Sequence, residues 1–187
     1  MVNYTDIDID FADRDQILKL IKHTSAMQLK KGQEVKHNTG VYVSKIPVNP
    51  FTGLASIDYK TAEQRGYFKL DMLNVSVYNM IKDQQDYDQL MQQDCPWHRL
   101  QEQEFVEKII HIGNHWSTIK DMTVDSIPRM AMFLALIRPG KRHLIGKTWS
   151  EIADDIWTKT DDYTFKKAHA VSYAVLVSLH MKLINRG

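Results

Sequence analysis

The chain has 187 residues, of which 43% are hydrophobic and 25% charged, as in an ordinary globular protein with a sizeable core. A formal net charge of +1 excludes a chain-wide attraction to nucleic acid, so any such contact must come from local basic patches. Cys95 is the single cysteine, which excludes an intramolecular disulfide, and no apolar run approaches the length of a membrane span. We therefore expect one domain over residues 1–187, in the cytoplasm and away from membranes.

Residues 6–11 alternate between aspartate and apolar side chains, as Asp-Ile-Asp-Ile-Asp-Phe. Successive side chains of a strand point to opposite faces, so Asp6, Asp8 and Asp10 would share one face, with neighbouring carboxylates about 7 Å apart. Like charges in a row repel, and a divalent cation would offset the repulsion because hard cations take carboxylate oxygens as ligands. The alternative is an amphipathic edge strand whose charges discourage pairing with other chains.

The next elements of the first half are short. Asp13-Arg14-Asp15-Gln16 has the form of a capping box and predicts a helix through about Met27. Strands are predicted over residues 40–47, 54–59 and 66–73, followed by a helical turn over 75–81. In the last of these strands Lys69 and Asp71 share a face. If that strand pairs with residues 6–11, Asp71 joins the acidic row with Lys69 beside it, which predicts a two-metal site with a cation for a phosphate.

The second half is predicted to be helical. Residues 83–94 form a solvated helix or loop, and further helices are expected at 99–111, 126–137, 149–158 and 166–184. Ser126 and Thr148 are candidate caps, and the last helix is apolar nearly all round, so it should be buried. The sequence therefore predicts an α+β protein, with a small mixed or antiparallel sheet over residues 1–82 and helices over 83–187.

Five segments also form a series. They are Asp-Ile-Asp-Ile-Asp-Phe at 6–11, followed by Asp13-Arg14, then Lys-His-Asn-Thr-Gly-Val-Tyr-Val at 36–43, Gly-Tyr-Phe-Lys-Leu-Asp-Met-Leu at 66–73, Ala-Leu-Ile-Arg-Pro-Gly at 135–140 and Phe-Lys-Lys-Ala-His-Ala-Val-Ser-Tyr-Ala at 165–174. In this order they resemble motifs of the C family of bacterial replicative DNA polymerases, typified by the polymerase III alpha subunit.

The resemblance implies a palm-like sheet of the nucleotidyltransferase type, with finger-like helical elements after it. It implies that Asp6, Asp8 and Asp71 are catalytic and hold Mg²⁺, with Mn²⁺ as an alternative, and that a nucleotide is transferred to a primer 3′-hydroxyl in DNA replication. Asp10 matches a position that is not one of the three catalytic aspartates of the family. The implied partners are a DNA primer-template and a dNTP, in the cytoplasm of a bacterium or of a phage-infected host cell.

The resemblance also assigns phosphate and DNA contacts. Lys69 would lie near the triphosphate, although a salt bridge to its own acidic row is an equal alternative. Surface solubility is the alternative for the basic clusters within residues 138–147 and 166–169, and for either cluster alone it is the favoured one. A core position is the alternative for Tyr173. The residues implied to bind nucleotide or phosphate are Lys69, Arg138, Lys141, Lys167, His169 and Tyr173, and those implied to bind DNA are Lys36, His37, Arg142 and Lys147.

The chain departs from the family in ways that keep other functions open. It is several times shorter, it shows no counterpart of the family's upstream glycine-serine loop, and Asn74 stands where the family has a glycine. A self-sufficient replicase is therefore not expected. The alternatives are a catalytically inactive accessory protein that binds DNA or other replisome proteins, or one part of a split polymerase completed by a second chain.

A zinc site was considered for the segment that follows residue 94. Its histidines and cysteine have the spacing C-x2-H-x12-H-x3-H, which fits a zinc finger with one cysteine replaced. The apolar positions that such a finger needs are filled by charged residues, and Gly113-Asn114 interrupts the helix between the last two histidines. The spacing alone therefore does not predict zinc at Cys95, His98, His111 and His115.

Overall fold

The computed structural model describes residues 7–159 and 165–187. The chain divides into two compact units, of which the first ends at Ile81 and the second begins at Lys82. The first unit contains a four-stranded sheet and the second is helical, so the predicted α+β class is confirmed. None of the helices in the described part of the chain is long and apolar enough to cross a membrane.

The sheet of the first unit has the strand order β1-β4-β3-β2. Strand β1 is parallel to β4, whereas β4 pairs with β3, and β3 with β2, in antiparallel fashion. The sheet is therefore mixed, and β1 lies at one edge. The strands are β1 at Ile7–Phe11, β2 at Thr24–Lys30, β3 at Gln33–Tyr42 and β4 at Leu70–Asn74.

The first helix, α1, covers only Arg14–Leu20. Asp13 caps it as predicted, because its side chain accepts hydrogen bonds from the backbone N–H groups of two residues in the first turn. The predicted extension through Met27 is wrong, since Thr24–Lys30 forms strand β2. Pairing with β3 buries Ala26 and Met27 in the unit, and this long-range gain outweighs local helix propensity.

A tight hairpin joins β2 to β3. Lys31 and Gly32 have φ angles of 53° and 77°, as a two-residue turn with left-handed backbone requires. Strand β3 therefore starts earlier than the sequence predicts and ends at Tyr42. The predicted strand over 54–59 contributes only isolated bridges, from Ala55 to Val48 and from Asp58 to Met27, and helix α2 follows at Tyr59–Gln64. The predicted helical turn after β4 is present as a 3₁₀ helix at Ser76–Met80.

Strand β3 contains a bulge of four residues, and the last of them, Gly40, pairs with β4. Ser25 pairs with Val41 and Met27 pairs with Lys36, so Ala26 alone lies opposite the four residues His37–Gly40. We call this segment the His37–Gly40 bulge. Such insertions leave backbone groups unpaired in the ladder and redirect side chains, which often happens beside functional sites.

The second unit is built around two packed helices, α6 at Ile127–Leu136 and α8 at Lys167–Asn185. Helix α8 is buried over most of its second half, as its apolar sequence predicts. The helix predicted over 99–111 is broken into a 3₁₀ helix at Trp97–Gln101 and a short α helix. The remaining elements are α3 at Gln84–Gln92, α4 at Gln103–Val106, α5 at Trp116–Ile119, α7 at Trp149–Asp155 and a 3₁₀ helix at Pro139–Leu144.

Candidate functional site

Asp8 of β1 lies directly opposite Asp71 of β4 in the parallel register. Residues opposite each other in neighbouring strands project from the same face, and the strands are about 4.8 Å apart. The sequence-based expectation that Asp71 joins the acidic face of β1 is therefore met at Asp8. Asp8 is exposed, whereas Asp71 is only 8% exposed. Asp6, the third predicted catalytic residue, lies outside the described residues.

The carboxylate of Asp71 is held by two hydrogen bonds. Thr39 Oγ1 donates to Oδ1 over 2.7 Å, and Lys69 Nζ donates to Oδ2. Burial by itself raises the pKa of Asp71, but the hydrogen bonds from Lys69 and Thr39 outweigh it and hold the pKa below its ordinary value. Asp71 is therefore a firmly ionised and oriented carboxylate, and the salt bridge considered for Lys69 is present.

Gly40 makes room for Lys69. It lies opposite Asp71 in the β3–β4 pairing, and the Lys69 side chain, which is 6% exposed, passes beside it. A Cβ atom on Gly40 would lie 2.8 Å from Lys69 Cδ. Lys69 Nζ also lies 5.8 Å from the ring centroid of Tyr59, close enough for a cation–π interaction.

His37 shapes the bulge. Its Nδ1 accepts hydrogen bonds from the backbone N–H groups of Gly40, over 2.9 Å, and Thr39, over 3.3 Å. Nδ1 also lies 3.8 Å from Asp71 Oδ1. A nitrogen that accepts two hydrogen bonds cannot also donate one, so Nδ1 folds the bulge and does not donate a hydrogen bond to Asp71. This fold is what aims the Thr39 hydroxyl at Asp71.

Asp10 shares the face of Asp8 by alternation along β1. Burial and then the charge of Asp8 raise the pKa of Asp10, and a hydrogen bond with the side chain of Tyr78 opposes them. The pKa values of Asp10 and Asp71 are thus shifted in opposite directions within one sheet.

The sheet face that contains Asp8 and Asp71 supplies part of the ligand set that a hard divalent cation needs. Over residues 7–159 and 165–187, no group of three or more His, Cys, Asp and Glu side chains is placed to hold a metal ion. Asp8 and Asp71 do lie directly opposite each other in the strand register, so their side chains project from one face. Mg²⁺ is commonly bound through one or two carboxylates, with water and substrate phosphates as its other ligands. The pair therefore suits Mg²⁺ bound together with a phosphate substrate.

Arg14 was not singled out as a site residue by sequence reasoning. It is the first residue of α1 and is only 8% exposed. Its backbone N–H donates to Asn74 Oδ1 over 2.7 Å, and its Nη1 donates to the carbonyl oxygen of Asn38 in the bulge. The Asn74 side chain thus fixes the start of α1. The cap at Asp13 predicts where α1 begins, but the burial of Arg14 depends on contacts distant in sequence.

Lys141, a predicted phosphate ligand, is buried in the second unit. Its Nζ donates to the carbonyl oxygen of Asp155 over 2.6 Å and to Thr158 Oγ1 over 2.8 Å, and it lies 3.4 Å from Asp155 Oδ1. His143 Nε2 lies 3.2 Å from the other carboxylate oxygen. Three contacts match the three donors of an ammonium group, so Lys141 joins the 3₁₀ helix after α6 to the end of α7.

Other predicted nucleotide contacts of the second unit gather around Phe165. The guanidinium of Arg138 lies 4.6 Å from the Phe165 ring, and the Tyr173 ring stacks on the same residue at 5.8 Å. Tyr173 therefore packs in an aromatic cluster, the alternative considered for it. Four further predicted contacts lie at or near the surface of this unit: Arg142, Lys147 and Lys167 are exposed and His169 is half-buried.

The zinc-like spacing does not bring its members together. Cys95 Sγ lies 3.9 Å from the carbonyl oxygen of Ser178 and 3.9 Å from Met181 Sδ, and burial raises the pKa of the thiol. The ring of His111 packs against Tyr173, with 4.7 Å between ring centroids. Cys95 and His111 therefore make separate contacts within the second unit.

Comparison of the chain with models of known protein families, with curated proteins and with solved structures gives no match. The likeness to the C-family polymerases therefore rests on the five sequence segments.

Proposed function

We propose that the first unit is a palm-like nucleotidyltransferase core that uses a divalent metal to add a nucleotide to a primer 3′-hydroxyl during DNA replication. The observation that supports this most is the parallel pairing that sets Asp8 opposite Asp71 on one face. The segment resemblance singles out these aspartates, and their adjacency depends on a strand pairing that the segments do not specify.

The charge at this face favours a cation. Like charges directly opposite each other destabilise a sheet, and among the described residues the Lys69 ammonium donates a hydrogen bond to Asp71. A protein that needed only a stable sheet would gain from an uncharged residue at Asp8, whereas a metal-binding face needs the carboxylate.

In this proposal Asp8 and Asp71, with Asp6, hold Mg²⁺ or Mn²⁺. The bound metal would lower the pKa of the primer hydroxyl, and its positive charge would stabilise the departing pyrophosphate. Thr39 keeps the Asp71 carboxylate in one orientation. Lys69 lies beside the carboxylates, where its ammonium can neutralise a phosphate of the incoming nucleotide.

Exposed cations would hold the nucleic acid. Lys36 on the first unit and Arg142, Lys147 and Lys167 on the second are all exposed and can neutralise backbone phosphates. Arg138, His169 and Tyr173 remain proposed nucleotide contacts. We leave Lys141 out of this set because its ammonium is bound within the second unit.

A second candidate is an accessory protein without catalysis, which binds DNA or replisome proteins, or one part of a split polymerase. The contact between Lys69 and Asp71 favours it, because the ammonium neutralises this carboxylate without any metal. The two candidates differ in whether nucleotide is incorporated.

Primer extension with Mg²⁺ or Mn²⁺ tests the proposal. We expect the wild-type chain to extend a labelled primer, and both Asp8→Asn and Asp71→Asn to reduce extension by at least about a hundredfold, since each removes a metal ligand. Glu63→Gln is the matched control, because Glu63 is an exposed carboxylate of α2 in the same unit.

Absence of extension by the wild type, together with tight binding to primer-template, would replace the transferase with the accessory or split-enzyme function. Extension that survives in Asp8→Asn and Asp71→Asn would remove these aspartates from the chemistry.

A further inference from the structure

The Arg14 guanidinium is buried with incomplete hydrogen bonding. Its Nη1 donates to Asn38, but its Nε is buried and has no hydrogen-bond partner among the described residues. The Asp15 carboxylate lies 3.9 Å from Nε, beyond hydrogen-bond distance, and is 76% exposed, so water screens this ion pair. Because removing a cation from water is costly, a guanidinium this buried normally has a full set of partners. Arg14 therefore has capacity for another anion.

Arg14 lies in the wall of an open cleft of about 320 Å³ on the first unit. The lining is polar, and it contains two side chains that are cations at neutral pH, Arg14 and Lys36, against one carboxylate. The asparagine amides add N–H donors. This chemistry suits a small oxyanion such as a phosphate group. The lining residues are Arg14, Asp15, Lys36, His37, Asn38 and Asn74.

The His37–Gly40 bulge connects this cleft to the carboxylate pair. Its first two residues, His37 and Asn38, line the cleft, whereas Thr39 donates to Asp71 and Gly40 lies opposite Asp71. A phosphate in the cleft would therefore lie beside the face that holds Asp8 and Asp71. A nucleic-acid strand carries a phosphate at every nucleotide, and contacts to these phosphates position the strand without reading its sequence.

We propose that this cleft, named here the Arg14 cleft, binds a phosphate of the nucleic-acid strand that is extended at Asp8 and Asp71. The strand assignment rests on the proposed function, whereas phosphate binding by the cleft does not. The Arg14 guanidinium can donate to a phosphate oxygen from the terminal nitrogen that is not bound to Asn38, and Lys36 adds an exposed positive charge. The phosphate of a free nucleotide offers the same chemistry, so the test includes both.

The first arm measures binding of the full chain to a fluorescein-labelled oligo(dT), without divalent metal or nucleotide. We expect Arg14→Met and Lys36→Gln each to weaken binding, by about tenfold for Arg14→Met. Each variant should also reduce the slope of log affinity against log salt by about 0.7, the value for one lost phosphate contact on a single strand. Lys45→Gln is the control, because Lys45 is an exposed lysine of the same unit outside the cleft lining.

The second arm titrates the same proteins with dATP. Weaker dATP binding with unchanged oligo(dT) binding would assign the phosphate to a free nucleotide and overturn the strand assignment. Unchanged affinity for both probes in both variants, or no binding of either probe by the wild type, would overturn the Arg14 cleft as a phosphate site. Lys36 is exposed, so Lys36→Gln tests the cleft even if Arg14→Met fails to fold.

The arms separate this inference from the proposed function because they contain no metal and no turnover. Oligo(dT) binding that depends on Arg14, in a chain that never extends a primer, would keep the cleft and reject the transferase. Primer extension by a chain whose binding of both probes is unchanged in Arg14→Met and Lys36→Gln would support the transferase function. It would also reject the Arg14 cleft as a phosphate site.

Discussion

The side chain of Lys69 occupies the space that a Cβ atom on Gly40 would need. The distance from that Cβ to Lys69 Cδ would be 2.8 Å, and the same Cβ would lie 3.0 Å from His37 Nδ1 and 3.1 Å from Ala26 Cβ. The φ angle of Gly40 is not positive, so a glycine is required here by packing and not by backbone conformation. The contact between Lys69 and Asp71 depends on the absence of a side chain at Gly40.

Gly40→Ala should therefore destabilise the first unit by about 1–3 kcal/mol, the usual cost of overpacking, as measured by urea denaturation. The control is the same change in a Lys69→Ala background, where the crowded Cδ atom is missing. The added methyl group should then cost less, with a coupling of about 1 kcal/mol between the two sites. Equal costs in both backgrounds would show that Lys69 is not the obstacle.

Lys69→Met should raise the pKa of Asp71, because burial remains and the hydrogen bond from the ammonium is lost. We expect a loss of about 2 kcal/mol in the free energy of unfolding near pH 7, since a buried carboxylate loses its cation. Carbon-detected NMR titration of the Asp71 carboxyl measures the pKa directly. Lys60→Met is the matched control, because Lys60 also lies over the Tyr59 ring but is exposed. An unshifted Asp71 titration in Lys69→Met would refute the ion pair.

Metal should stabilise the wild type through the carboxylate pair. If Mg²⁺ binds the folded state alone, it should raise the thermal midpoint, and the rise should grow with the logarithm of the Mg²⁺ concentration above its Kd. Asp8→Asn should abolish that increase, and without metal it should stabilise the sheet by about 0.2–1 kcal/mol by removing a cross-strand like charge. Scanning calorimetry with and without Mg²⁺ makes the comparison, with Glu63→Gln as control. A Mg²⁺ effect that persists in Asp8→Asn would place the metal elsewhere.

Acid should lower the stability of the second unit, because Asp155 becomes protonated. Hydrogen bonds from Thr158 and His143 lower the pKa of Asp155 to about 2, whereas an unfolded aspartate titrates near about 3.9. The folded pKa is depressed, so the stabilising contribution is full above about pH 4 and is lost as the pH falls through about 2. Asp155→Asn should therefore flatten the stability profile between these values. Asp154→Asn, at an exposed neighbouring position, should leave the profile unchanged.

Two helix caps should differ although the sequence suggests both. Thr148 accepts a hydrogen bond from the backbone of Glu151, whose carboxylate in turn accepts from the backbone of Thr148, whereas Ser126 makes no side-chain cap hydrogen bond at α6. Thr148→Ala should cost about 1 kcal/mol in guanidinium denaturation. Ser126→Ala should change stability by less than about 0.5 kcal/mol. Equal losses in the two variants would contradict the difference in capping.

The sequence predicts the elements whose signals are local. Alternation of charge and apolar residues identifies β1, the capping box identifies the start of α7, and the apolar run identifies α8 as a buried helix. Once the two strands pair, the period of two places Asp8 and Asp71 on the same face, but it does not fix which aspartate of β1 lies opposite Asp71. The charged face was therefore accessible from the sequence.

The parts that the sequence did not predict depend on distant partners. Thr24–Lys30 looks like the end of a helix until β3 pairs with it and buries Ala26. The His37–Gly40 bulge is stabilised by contacts with Asp71 and Arg14, which lie elsewhere in the chain. Propensity and periodicity describe neighbours along the chain, so they contain no information about these contacts.

The parallel pairing of β1 with β4 also affects the order in which the sheet of the first unit forms. Parallel neighbours need a long crossover, and here it contains β2, β3 and α2. Closing such a loop precedes any gain from the contact, so this pairing, the longest in range within the sheet, forms slowly. A nascent chain that has made its hairpin but not this pairing would hold its aspartates apart. In such a chain, a ligand that needs both Asp8 and Asp71 would bind only after this pairing has formed.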